Sequence, residues 1–159
     1  MATTDDIEDL RTRLDRVNRG RLGLTADADA LAREEADIEA DFGPAIRLAI
    51  YGTLAPGKVN HHHIANLGGA WSDAAVRGSL APIEHGEHKG LPGIYLDPSA
   101  PPHPVKLLVS SALPSAWTRL DAFEGAEMQR LLVPLEGGGG ILGVANVYAL
   151  RRAMTAALG

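Results

Sequence analysis

Apolar positions recur at helical spacing in three stretches of the chain and in strand-like runs in six others. Ile7, Leu10, Leu14 and Val17 step by three and four residues, which predicts a helix over 4–19. Thr3 or Thr4 can cap it, acids fill its first turn, arginines its last, and Gly20 reads as its stop. Ala28, Leu31, Ala32 and Ile38 mark a thinner apolar face on a second helix, about 26–41, with Thr25 as its cap. After Phe42, Gly43 and Pro44 the period changes. Strands are predicted at 48–51, 77–83, 93–96, 105–110, 131–135 and 141–150, with Gly137 to Gly140 as a hairpin loop between the last two. Asn60 to Asn66 is a polar, His-rich segment that reads as one helical turn.

The third helical stretch differs from the others. Leu113, Ala116, Trp117, Leu120 and Glu124 share one face, and Gly125 follows where a helix end wants a glycine. Glu124 therefore sits on an apolar stripe. A carboxylate there is costly unless it snorkels out of the frayed last turn or is used. Several strands around one well-defined helix indicate an α+β domain with a mostly antiparallel, curved or closed sheet. The helical arm, 1–44, precedes the domain, 45–159.

Charge sharpens that division. Residues 1–45 carry twelve acids and six arginines, a net of −6, and the remainder carries eight acids and nine bases, a net of +1. The seam on the arm is too narrow for a core of its own. It must pack on the body, between the two helices, or on a second copy of the chain in a homodimer. Cysteine is absent, which excludes disulfides, thiolate metal sites and cysteine nucleophiles. No basic cluster with interleaved aromatics is present, so nucleic acid is not an expected partner. No run has the length of a membrane span and the N-terminus has no signal-like pattern, so a cytoplasmic protein is expected. His61, His62 and His63, with His85, His88 and His103, raise a metal reading, but adjacent histidines are a poor ligand spacing. No metal and no cofactor are expected. Trp71 and Trp117 read as core.

Tyr51, Gly52, Thr53 and Leu54 lie where a strand hands over to a loop, a place where main-chain N–H groups can meet an anion. With Gly57, Asn60 and His61, then Leu120, Asp121, Glu124 and Gly125, then Arg130 and Val133, this order and spacing resembles the gamma-glutamylcyclotransferase-like family. The resemblance is nearest to the gamma-glutamylamine cyclotransferases and their bacterial relatives. Leu91 to Ile94, Val147 and Tyr148 also look like family positions, and the likeness spans about 46–150.

It implies a small β-barrel with flanking helices. It also implies an enzyme that turns a γ-glutamyl amide into 5-oxoproline and a free amine without metal or organic cofactor. By the same likeness Glu124 is the general base for the substrate's α-amino group. Tyr51 to Leu54 and Tyr148 hold the γ-glutamyl part, and Asn60, His61 and Met128 stand at the periphery. One position departs from the pattern: the family's usual tyrosine two residues before the arginine is Met128, which fills the volume but brings no hydroxyl. A cyclotransferase and a silent binding module for a small acidic metabolite are therefore both open. Arg130 reads as a structural partner for an acid.

Overall fold

The computed structural model describes residues 4–151. Helix α1 runs Thr4–Arg21 and α2 runs Ala28–Phe42. The strands are β1 (Arg47–Ile50), β2 (Ala70–Pro82), β3 (Pro92–Leu96), β4 (Pro102–Val109), β5 (Met128–Gly137) and β6 (Gly140–Leu150), with α3 (Leu113–Glu124) between β4 and β5. Pairing runs β2–β4–β1–β6–β5 and closes on β2 where Ala75 meets Glu136. Only β1 and β6 are parallel; β3 extends the sheet from the second half of β2. The result is an α+β fold around a five-stranded closed barrel, as the strand pattern predicts.

Alternation along the strands separates two faces. Leu131, Val133 and Leu135 of β5 fill the barrel interior with Ala145, Val147 and Ala149 of β6. Leu48, Ile50, Tyr148 and Leu150 belong instead to the layer under α3, packed with Leu113, Ala116, Trp117 and Leu120. Leu132 and Val144 face a third layer, the N-terminal arm.

The arm differs from its expected form in two respects. First, α1 does not stop at Gly20. It passes through it, and a Cβ there would lie 2.7 Å from the side chain of Leu31, so the glycine is where the two arm helices touch. The stop comes later, at Gly23, whose φ of 77° suits only glycine; Leu24 N–H bonds Arg19 O and Gly23 N–H bonds Gly20 O. Second, Asp27, not Thr25, caps α2 by accepting from Ala30 N–H at 2.9 Å. Of the α2 face, Ala28 and Ala32 are exposed and Leu31 and Ile38 carry the contact, since alanines bury too little to hold the helix down. Thr3 and the side chain of Thr4 lie outside the described residues.

Most of the seam takes one of the routes open to it, packing on the body of the same chain. Leu10, Leu14 and Val17 pack with Ile38 on Leu132 and Val144 of the barrel. Four such side chains contribute roughly 6–12 kcal/mol gross, an upper bound. Asn18 secures the docking: it donates to Leu132 O at 2.9 Å and accepts from Leu132 N–H at 2.8 Å, on the edge of β5 that β2 leaves unpaired. The arm acts here as a substitute strand partner. No helix among the described residues is long and apolar enough to cross a membrane.

Candidate active site

Helix α3 buries four positions of its stripe and then runs out of core. Glu124 is the next position, half-buried, and Gly125 ends the helix with its N–H on Asp121 O. Glu124 lines a small, partly open cavity with Tyr51, Gly52, Thr53, Leu54, His88, Phe123, Met128 and Tyr148. Burial pushes the Glu124 carboxyl up to about 7; the charge of His88 opposes this and that of Asp121 adds to it. A carboxyl near neutral pH, facing a cavity, is suited to taking a proton and giving it back.

Opposite it, the loop after β1 is held from behind. Ala55 N–H donates to Gly52 O, Asn60 N–H to Thr53 O, Asn60 Nδ2 to Thr53 Oγ1 at 2.9 Å, and His61 Nδ1–H to Leu54 O at 2.9 Å. The three carbonyls are thereby occupied. Among the described residues, the N–H groups of Thr53 and Leu54 have no acceptor. A Cβ built on Gly52 meets nothing within 4 Å, so the space beside it belongs to the cavity rather than to packing. Free N–H groups next to open space suit a carboxylate or an oxyanion. Asn60 and His61 do not line the cavity; they shape the loop that does.

The two tyrosines at the site do structural work with their hydroxyls. Tyr51 donates to Tyr148 O at 2.7 Å and accepts from Ile94 N–H at 3.1 Å, bridging β6 to β3. Burial, and Glu124 nearby, raise its phenol above the ordinary value, so it stays neutral. Tyr148 donates to Asp121 Oδ1 at 2.7 Å. Asp121 also takes Arg130 Nε at 2.9 Å, and Arg130 in turn stacks on Trp117 at 4.4 Å. Partial burial would raise Asp121, but the bonds from Arg130 and Tyr148 and the charges of Arg130 and Arg21 outweigh it and hold it below the usual carboxylate range. From Arg130 the polar contacts continue to Asn146 and to Arg21 of the arm. Tyr148 therefore meets the cavity with its ring, its hydroxyl being committed.

Met128, buried, forms part of the apolar wall. Among the described residues no three His, Asp or Glu side chains converge as metal ligands. His61 leans on Trp71 at 5.7 Å and His63 on Phe123 at 4.0 Å. Trp71 is 38% exposed, contrary to its reading as core, because its strand position faces away from the barrel interior. Trp117 is buried and donates to Ala45 O. His88, Ile83, Leu91, Pro92 and Phe123 are lining residues that sequence reasoning did not place at the site. The loop carrying His88 is folded back by Ile83 N–H to Leu91 O and Gly90 N–H to Ile83 O, both 2.8 Å, a closure that no local pattern announces.

Barrel, capping helix and strand-end loop together define a class by fold. No protein-family model and no curated protein matches the chain. Among solved structures, YkqA from Bacillus subtilis superposes with a TM-score of 0.50 at 24% identity, over 65% of this chain and 35% of that one. The allophanate hydrolase of Kluyveromyces lactis gives 0.52 at 14% identity, over 66% of this chain and 17% of that one. An AIG2-like protein (GGACT) from Mus musculus gives 0.45 at 23%, over 65% and 76%. This chain thus spans about a third of YkqA. The fold is the gamma-glutamylcyclotransferase-like fold.

Proposed function

We propose that the protein is a cyclotransferase that releases 5-oxoproline and a free amine from a γ-glutamyl amine or γ-glutamyl peptide, with Glu124 as general base. The observation that supports this reading is that Glu124, whose carboxyl is pushed up to about 7, lines one cavity with Thr53 and Leu54, whose N–H groups have no acceptor among the described residues. The α-ammonium of the substrate gives a proton to Glu124, and the freed nitrogen attacks the γ-carbonyl of the same molecule. Because the attack is intramolecular, the protein's main tasks are to fold the substrate back on itself and to steady the oxyanion; the loop N–H groups suit the second task or the α-carboxylate. The apolar wall of Met128 and the ring of Tyr148 suit the methylenes between.

A second reading is a binding module for a small acidic metabolite, favoured by Met128, which brings no hydroxyl to the wall. Incubation with a panel of γ-glutamyl amines and peptides, with 5-oxoproline quantified by chromatography, separates the two. Product from at least one member is expected. Binding without product across the panel supports the second reading, and neither binding nor product removes both.

A further inference from the structure

Ring closure in the reaction proposed above moves two protons, not one. The α-ammonium enters with three N–H bonds and the lactam nitrogen keeps one; the amide nitrogen leaves as an ammonium with two more hydrogens than it had. A single carboxyl carries one proton at a time, so Glu124 alone must reload in mid-reaction or share the task.

His88 occupies the place where sharing is feasible. It lines the cavity with Glu124 and also lines an adjoining outer groove, where His85, Glu87 and Glu127 lie. The two spaces share His88, Phe123 and Glu124, so with a γ-glutamyl group against the Gly52 to Leu54 loop, an amine half reaching into that groove would bring the scissile bond to their junction. The imidazole is pinned: Nε2 stands 2.6 Å from Phe123 O, and the Phe123 ring meets it edge-on at 4.8 Å. A carbonyl only accepts, so Nε2 carries a hydrogen and Nδ1 is left as the exchangeable nitrogen. Its charge is felt by Glu124 on α3 and by His63 across the Phe123 ring.

We propose that His88 is the second proton carrier of the site and the donor to the departing amine; this rests on the cyclotransferase reading. Glu124 takes the first proton from the α-ammonium. The nitrogen lone pair then forms the bond to the γ-carbon, and the carbonyl pair moves to oxygen. When the carbonyl re-forms, the old C–N bond breaks with its electrons on the amine nitrogen, which takes the Nδ1 proton of His88. The new ring nitrogen, positive with two hydrogens, passes one to the neutral imidazole. Glu124 returns its proton to the released amine, and both groups end as they began.

Leaving-group basicity tests this. A nitroaniline departs with little need of a proton, whereas an alkylamine needs one. Wild type, His88→Gln and His88→Ala are compared on γ-glutamyl-propylamide and γ-glutamyl-p-nitroanilide. Expected for both variants is a loss of about 100-fold on the propylamide and of less than about 5-fold on the anilide, with added imidazole restoring the alanine variant on the propylamide. The anilide rate doubles as the control for folding and for the rest of the site. Equal losses on both substrates, or none on either, overturn the role of His88 while leaving the cyclotransferase reading standing. A wild-type protein inert on both substrates overturns that reading and this one with it.

Discussion

Asp121 and Glu124 stand one turn apart on the same helix, and their surroundings treat one functional group in opposite ways. Asp121 is exposed, yet it is clamped by Arg130 and Tyr148 and held in its charged form. Among the described residues no hydrogen bond reaches the Glu124 carboxyl, which is more deeply placed and is pushed up to about 7. Asp121 contributes to that shift as a like charge. The region around Asp121 is built for position: its polar contacts run through Arg130 and Asn146 to Arg21 on the arm. The region around Glu124 is left unfinished: it lines a cavity that it shares with Thr53 and Leu54, whose N–H groups have no acceptor among the described residues. Burial alone does not make a reactive carboxyl. Burial without partners does, and a helix that ends at the edge of its core supplies the means.

Removing the second carboxyl should have the largest effect. Glu124→Gln is expected to cut 5-oxoproline release by about 10²–10⁴-fold, because shape is kept and the base is lost. The same change should stabilise the fold. A carboxyl whose folded pKa is raised from 4.5 to about 7 favours the native state while protonated. That contribution is complete below pH 4.5 and lost as pH rises through 7, by up to ~3 kcal/mol. Denaturant titrations at pH 4 and pH 8 check it: the variant should gain on wild type only at the higher pH. A variant that is inactive but no more stable at pH 8 would break the contrast drawn between the two acids.

Asn18→Ala probes the positioning side without touching either carboxyl. It strands the N–H and C=O of Leu132 beneath the arm, at an expected cost of about 1–3 kcal/mol. Urea unfolding measures this, and the pH dependence of turnover should be unmoved. A shift in that profile would mean that arm docking and the site are not separable.

Asp121→Asn gives the smallest and most diagnostic change. Tyr148 can still donate to the amide oxygen, so the expected stability loss is under about 1 kcal/mol. The negative charge beside Glu124 disappears, so the acid limb of the activity profile should move to lower pH. Carbon-13 NMR titration of the Glu124 carboxyl gives the same reading in the absence of turnover. A limb that stays or rises would show that Arg130, released from its partner, and not Asp121, governs the field at Glu124.

Local periodicity determined a good deal of this molecule. Helix α3 was legible to the residue, because a stripe of large apolar side chains and a terminal glycine are both signals within one element. Glu124 was visible as a misfit on that stripe, and the strand end at Tyr51 as a change of composition. What depends on pairs far apart was not visible. Asn18 and Leu132 are separated by 114 residues, and an asparagine in an acidic helix looks like a solvated one until β5 presents an unpaired edge. Gly20 read as a stop because glycine ends helices, whereas the close approach of Leu31 is a fact of packing. The hydroxyls of Tyr51 and Tyr148 are spent on Ile94, Tyr148 and Asp121, so tyrosines that read as ligand contacts serve partly as fasteners. His88 read as one of several loop histidines and gained its place only when its loop folded over Phe123. Periodicity reports which face of an element is buried; which groups meet on that face is decided by closure of the barrel, which brings together positions that no spacing connects.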